Sequence, residues 1–579
     1  MNKSISDSKN RIVDFIIAGL GCIGCSLLFL AVLGCPRITN DQVVMRDIVS
    51  GVYSGTPDGH TVYIMYPLGF ILSLLYRICK SVAWYDSLMF LTYPISLFLL
   101  LLYGNRKFES ILGKILFSIS GLCLFVLPNL WFIPQNEYTV DSGVFGAIAL
   151  FCLLCCEKES KVSKYIPAIV MLILTLWLRR QIFYMLIPII VIIVLWKLVF
   201  EKDKNILKPV FAIGILTVVS LTIDAIAYSS PEWKEFRAYN EARTDLVDFY
   251  GFPTYENISD ILNSYGMTED EYSVLTKNIG LCDEADTEVL VAIADASKEI
   301  REEMIRQYPE DQKINLIYNL KQEYQRIKGN AVGKPIIILT ALLCVFSLMN
   351  WIGKKRIGEM SCIIPVILLI GYSAVFAVYF IFKGRYPERI SLPLYLAVIM
   401  SIFALLMDRV ETFFKESKLK ILPYAFGFAA AILITAASFS GIGNQISSMN
   451  ENASYRKDCI AKTAYVEKYC NENSSNVYLI DGSIANFRND YLFKPISKTA
   501  PNSITLGYWT LQSPLFGKRK ASNGLSKLGE DLLTKDNVFY VVGKESDVSW
   551  LAELGGNSIS LVDEFDDGTH FFTVYKVKR

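Results

Sequence analysis

Histidine is almost missing from this chain, which has only His60 and His570. Cys22/Cys25 and Cys152/Cys155 have metal-ligand spacing, but no partner pair stands nearby. Most of the thirteen cysteines fall inside apolar runs, where they serve as small packing groups, so a metal centre is not expected. Cys459 and Cys470 lie on one predicted helix, about 16 Å apart along its axis, too far to bridge. No disulfide framework follows. A Lys/Arg tract of the nucleic-acid type is absent, which argues against nucleic acid as a partner. Gly-x-Gly-x-x-Gly and phosphate-loop patterns are absent from the C-terminal part, so nucleotide binding is not expected there. Internal repeats and low-complexity tracts are lacking too. No A-x-A site follows the first apolar segment, so Ile12 to Gly34, preceded by Lys9 and Arg11, is expected to stay as a span.

Apolar sequence, by contrast, is abundant. Of the 579 residues 53% are hydrophobic, and the mean hydropathy is +0.36. Runs of membrane-spanning length recur at 12–34, 86–103, 111–133, 138–156, 164–178, 181–199, 207–228, 334–352, 360–382, 390–407 and 419–441. A soluble helix needs only one greasy face, so this composition excludes a soluble protein. The net charge of +1 hides a strong asymmetry. Lys3/Lys9/Arg11, Arg106/Lys107, Lys158/Lys161/Lys164, Lys202/Lys204/Lys208, Lys354/Lys355/Arg356 and Arg409/Lys415/Lys418/Lys420 share one set of loops. The loop at 131–140, in the opposite set, has no Lys or Arg. The basic set is therefore expected in the cytoplasm.

That asymmetry decides how the apolar run Val62 to Ile78 is read. Counted as a span, it would invert every later loop. Left uncounted, all six basic loops share one side, so it is expected to lie on the membrane surface, with Arg77 and Lys80 toward headgroups. The expected fold is thus an all-α polytopic membrane protein of about eleven spans, N-terminus inside and C-terminus outside. Its parts are a membrane half at 1–228 with an outer loop at 35–85, an extracellular helical insertion at 229–333, a second membrane half at 334–441, and an extracellular α/β domain at 442–579. In the insertion, Thr268-x-x-Glu271 reads as a capping box and Thr287 to Arg306 as a helix. The C-terminal part alternates helix around 453–471, strand 476–481, helix 525–534, strand 537–543, helix 546–554, and a hairpin turning at Asp566-Asp567-Gly568.

The outer loop holds the residues best suited to chemistry. Thr39 and Gln42 fit a capping box opening a short helix that runs to Ser50 and stops at Gly51. Asp41 then sits in its first turn, either as a general base facing a cavity or as a partner of the helix dipole. Asp58 and His60 follow in a Gly/Pro-rich turn; both suit substrate binding, and Asp58 equally suits a turn. Tyr53, with Tyr63, Tyr66, Trp84 and Tyr85, suits stacking on sugar rings or an interfacial aromatic belt. Arg179-Arg180 and Lys383, Arg385 and Arg389 break the loop bias on the basic-poor side. Arginine forks there suit phosphate oxygens, or they snorkel to headgroups.

With an acidic residue after the first span, surface helices next and arginines on the outer side, the chain resembles the GT-C class of integral-membrane glycosyltransferases, of protein O-mannosyltransferase and aminoarabinose-transferase type. His60 with Pro67-Leu68-Gly69 is similar to the His-Pro-Pro-Leu-Gly segment of protein O-mannosyltransferases. Ser50 to Asp58 is similar to a Ser-Gly-x-Tyr-x-Gly-Thr-Pro-Asp pattern of multi-span proteins from Firmicutes. The resemblance covers about residues 12–441 and is one of layout more than motif. It implies a cell-membrane enzyme that moves a sugar, with inversion, from a polyprenyl-phosphate donor to a cell-envelope glycan, lipid or protein acceptor on the outer face. Asp41 would be the base, and Arg179, Arg385 and Arg389 would grip the phosphate. The sequence departs from the class where Asn40-Asp41-Gln42 gives one carboxylate instead of two, and where Thr61-Val62 follows His60. These departures argue against a metal cofactor. A non-catalytic membrane protein, either a lipid-linked glycan translocator or an assembly scaffold, is the alternative.

Overall fold

In the computed structural model the described residues are 2–579 apart from 159, 330, 355–356, 417–420, 486–488, 495–499, 508, 544–545, 556–557 and 569. Lys355, Arg356, Lys418 and Lys420 of the basic loops lie outside them. The chain opens with α1 (Asn2–Leu33), β1 (Arg37–Thr39), α2 (Asp41–Ser50), α3 (Tyr66–Ile78), α4 (Trp84–Asn105), α5 (Ile111–Asn129) and α6 (Tyr138–Cys155). It continues through α7 (Ile166–Leu178), α8 (Arg180–Val199) and α9 (Leu207–Ala227) to a polar helical segment. That segment is α10 (Pro231–Thr244), α11 (Tyr255–Ser264), α12 (Glu269–Lys277), α13 (Thr287–Gln307) and α14 (Pro309–Gly329). The apolar helices resume with α15 (Gly333–Lys354), α16 (Ile363–Phe382), α17 (Glu388–Glu416) and α18 (Ile421–Ser438), and the polar α19 (Ile442–Glu472) follows. Then come β2 (Val477–Ile480), α20 (Gly482–Ala485), β3 (Asn489–Tyr491), β4 (Ser503–Thr505), α21 (Pro514–Ser522), α22 (Leu528–Thr534), β5 (Val538–Gly543), β6 (Ser558–Asp566) and β7 (Phe571–Lys578).

Ten helices are long and apolar enough to cross a membrane among the described residues, so the protein is an all-α multi-pass membrane protein with a small C-terminal sheet. The expected eleventh span, 164–178, falls among the shorter apolar helices at Val162–Leu178. Its ends nevertheless reach the two ends of the bundle. At its start the Lys164 carbonyl accepts from the hydroxyl of Tyr103, at the end of α4. At its finish the Trp177 carbonyl accepts from the amide of Met65, 2.8 Å away, just before α3.

The basic loops gather at one end of this bundle. Lys107 pairs with Asp408 at 2.8 Å, Lys197 donates to the Cys156 carbonyl, Asn205 to the Lys158 carbonyl, and Arg409 pairs with Glu359. Lys114 meets Asp14 of α1 there as well. The Lys107–Asp408, Lys114–Asp14 and Arg409–Glu359 pairs thus lie together at this end, as the cost of burying a lone charge demands.

α3 does not run between the two ends. Its 13 residues span about 20 Å. The Tyr66 amide at its start donates to Asp224 near the end of α9, and Arg77 at its finish donates to the Pro57 carbonyl. In between, Gly69 packs so closely on Gly59 that a Cβ would overlap the Gly59 carbonyl. Both ends of α3 therefore belong to the end opposite the basic loops, while Phe70, Ile71, Leu74 and Ile78 stay exposed along it. A short helix with an apolar exposed face suits the membrane boundary.

α6 is buried along its whole length and packs against α17 and α7. Gly143 admits Pro393, and Gly146 admits Leu186, at contacts a Cβ would close. Small residues let helix backbones approach where lipid offers no hydrophobic drive.

The C-terminal sheet has the order β4-β2-β5-β7-β6, with β2 parallel to β4 and β5, and β6-β7 an antiparallel hairpin. The hairpin turns where expected, with Gly568 at positive φ and its amide on Asp566. The predicted helix over 546–554 is one 3-10 turn, Ser549–Ala552, and the helix around 453–471 begins earlier, at Ile442. A second, two-stranded sheet pairs β1 with β3, so the outer loop and the C-terminal region share backbone hydrogen bonds. Beside it, buried Arg46 reaches Asp490 at 2.5 Å.

Candidate functional site

α2 begins at Asp41 and ends at Ser50, and Gly51 follows with φ of 86°. A side chain at Gly51 would run into Pro57. The capping box expected from Thr39 and Gln42 does not form. Thr39 pairs with Asn489 in the β1–β3 ladder, and the Gln42 amide donates to the Asn136 carbonyl at 2.5 Å. The cap residue is Asn40, at φ of 38°, with no cap hydrogen bond from its side chain. The Val43 and Val44 amides donate to the Asn40 carbonyl instead, and Asp41 stands in the first turn, where the helix dipole favours a carboxylate.

Asn136 repeats the pattern, with φ of 42° immediately before Glu137, which caps α6 and accepts from the Val140 amide and the Thr139 hydroxyl. Asn tolerates positive φ better than most residues. Two carboxylates, Asp41 and Glu137, therefore stand at two helix starts joined by Gln42.

Arg179 and Arg389 serve both carboxylates. Burial pushes the Asp41 carboxyl up, while Arg389, Arg179 and Arg243 pull it down and Asp248 pushes it up; the net is upward. Burial likewise raises Glu137, against Arg389, the Val140 and Thr139 hydrogen bonds and Arg179. Arg179 lies over the rings of Tyr63 and Tyr138, 5.4 Å from each, and donates to the Tyr138 hydroxyl at 3.1 Å. Such stacking holds a guanidinium in one plane. Burial and Asp41 together push the Tyr63 hydroxyl up to about 12. Trp509 of the C-terminal region meets Tyr63 edge-on at 5.1 Å, with its indole N–H buried and unpartnered. The helical insertion contributes Arg243 from α10 and Asp248 from the π-helical turn Asp245–Tyr250. Single π turns are frequent at functional sites.

The sequence-derived residues divide among three places. Asp41, Arg179 and Arg389 are together, and Arg385 joins them at one remove, 4.0 Å from Asp248 and over the ring of Phe249. Asp58, His60 and Arg180 form a second group beside Asp224. His60 Nδ1 meets Asp58 at 2.6 Å, Nε2 meets the Ala227 carbonyl at 3.1 Å, and the ring stacks on Trp233 at 4.5 Å. Both ring nitrogens are engaged within the protein. Arg180 approaches Asp224 at 3.8 Å, opposite Arg237 at 3.6 Å. Tyr53 stands in a third place, with Arg519 over its ring at 5.2 Å and bonded to its carbonyl. Lys383 is exposed at the turn after α16.

Glu137, Arg243 and Asp248 were not singled out from the sequence. Glu137 had a faint signal, an acidic residue just before the apolar run of α6 on the basic-poor side. Among the described residues no three His, Cys, Asp or Glu side chains are grouped to hold a metal ion. Three arginines around two carboxylates favour an anion more than a cation.

No family model and no curated protein matches the chain. Two solved structures align over nearly all of it. ArnT from Cupriavidus metallidurans bound to undecaprenyl phosphate aligns at a TM-score of 0.39 and 10% identity, over 98% of this chain and 98% of that one. The apo state of ArnT from the same organism aligns at 0.38 and 10%, over 99% and 98%. With one residue in ten shared, the chemistry of this site follows from its own side chains.

Proposed function

We propose that this protein is an integral-membrane glycosyltransferase that moves a sugar from a polyprenyl-phosphate donor to a cell-envelope acceptor at the outer face. One observation carries the reading. Asp41 shares a cluster with Arg179, Arg389 and Glu137 at the end of the bundle opposite the basic loops. The raised carboxyl is a better base than a free aspartate, and the arginines suit a departing phosphate.

In the step, an Asp41 oxygen takes the proton of the acceptor hydroxyl. As its proton leaves, the acceptor oxygen forms the new bond to the anomeric carbon from the face opposite the phosphate. The bond from carbon to phosphate oxygen breaks, its electron pair stays on the phosphate, and Arg389 and Arg179 meet the growing charge. The product sugar is inverted and the prenyl phosphate is released. Arg385, 4.0 Å from Asp248, adds positive charge at the edge of the cluster. Glu137 offsets part of the charge of the arginine pair. The gathering of Lys107–Asp408, Lys114–Asp14 and Lys197 at one end of the bundle favours this reading over a translocator, which needs ionisable groups deep in its spans.

Asp41→Asn is expected to lower transfer by about 10²–10⁴-fold, the usual worth of a general base. The measurement is envelope glycan composition in cells carrying the variant. If that composition is unchanged where deletion of the gene alters it, the enzymatic reading is wrong.

A further inference from the structure

Apart from the Asp41 cluster, a cavity of about 340 Å³ opens where α1, the α5–α6 turn and α19 meet. Leu33 closes one side and Trp131 another, while Gln135 and Asn452 supply polar walls. Its charge is one-sided. Arg37 and Arg456 both line it, close enough to repel each other. Among the described residues neither guanidinium has a carboxylate at ion-pair distance. Arg456 lies over the Trp131 ring at 4.9 Å, and the Arg37 Nε is buried with no hydrogen-bond partner.

A protein that brings two guanidiniums together without an acid sacrifices stability unless something anionic joins them. The location says what kind of anion. Leu33 is the last residue of α1, and Val32 beside it is 70% exposed on the lateral surface of the helix. The cavity thus meets the apolar flank of the bundle at the level where lipid headgroups would lie. We propose that it takes a phosphate group carried on a membrane lipid, with the phosphate between Arg37 and Arg456 and the chains along α1. Forked donors on both sides would bind the phosphate oxygens, and the apolar rim would accept the glycerol and first methylenes. This site is independent of the transferase reading, since none of the residues around Asp41 lines it.

The test uses the full-length protein, purified in detergent and stripped of lipid, and counts bound lipid by native mass spectrometry. Dioleoylphosphatidylglycerol is expected to bind saturably and at least tenfold tighter than dioleoylphosphatidylcholine. Arg37→Gln with Arg456→Gln is expected to lose about tenfold in that binding. Asn452→Asp, which places a carboxylate in the cavity, should abolish binding and raise the melting temperature of the lipid-free protein. Two results overturn the proposal: glutamine variants that bind as the wild type does, or inorganic phosphate alone binding as tightly as phosphatidylglycerol. A lower melting temperature in Asn452→Asp would also count against it, because the arginines would then not be awaiting a negative charge.

Discussion

Asp41 shows how one residue acquires a role from its surroundings. The first turn of a helix favours a charged carboxylate and so weakens it as a base. Burial opposes this and prevails, and Arg389, Arg179 and Arg243 moderate the outcome. A group that must be ionised to act, with its pKa raised, gives an activity that is lost as pH falls through that raised value. The acidic limb of the transfer rate should therefore stand above the ordinary aspartate range, near 3.8. Arg389 lowers the Asp41 pKa, so Arg389→Gln is expected to move that limb to higher pH as well as slow transfer. A limb that stays in place while the rate falls would mean Arg389 acts on the donor alone. Arg179→Lys is not a conservative change, because the plane held between Tyr63 and Tyr138 would be lost.

Among the elements, α3 and the β6–β7 hairpin each depend on one contact that can be probed. Gly69→Val should unseat α3, because any Cβ overlaps the Gly59 carbonyl, at a cost of about 1–3 kcal/mol. Gly517→Ala, with open space around it, serves as the control in the same thermal melt. The hairpin is tied to α19 by His570, whose ring meets Asp567 at 3.0 Å and Asp458 at 2.8 Å. Burial lowers the His570 pKa, but the two carboxylates outweigh it and raise it above 6.5. Because the folded value is the higher one, the stabilisation is complete below the unfolded value. It disappears as pH rises through the folded value. Melting measured across pH 6 to 8 should show this loss, and His570→Gln should abolish the dependence.

At the scale of the molecule, the basic loops gather at one end of the bundle and the Asp41 cluster stands at the other. If the basic end faces the cytoplasm, as orientation by positive charge expects, the cluster and the C-terminal sheet lie outside. Cys35, exposed beside β1, should then react with a membrane-impermeant maleimide on intact cells. A cysteine introduced at Lys107 should react only after permeabilisation. The reverse pattern would remove the outer-face chemistry altogether. The β1–β3 ladder and the Arg46–Asp490 pair further mean that the outer loop and the C-terminal region are held as one body.

Most of the membrane architecture was legible along the chain, because span length and loop charge are local properties set by bilayer thickness and by which side tolerates Lys and Arg. That both ends of α3 belong to one end of the bundle agrees with the same parity, and the C-terminal hairpin followed from its Asp-Asp-Gly turn. Local pattern misled at Thr39, where a strand partner 450 residues away, Asn489, replaced the capping box. It also could not separate His60, pinned by Asp58 and Ala227, from Arg179, which faces Asp41. Glu137, Arg243 and Trp509 join the cluster only through packing, because no spacing rule links helix starts that lie far apart in sequence. The sequence by itself determined that the chain crosses a membrane and which loops lie together. Tertiary structure alone decided which carboxylates and arginines meet, since their contacts depend on how buried helices such as α6 and α17 fit against one another.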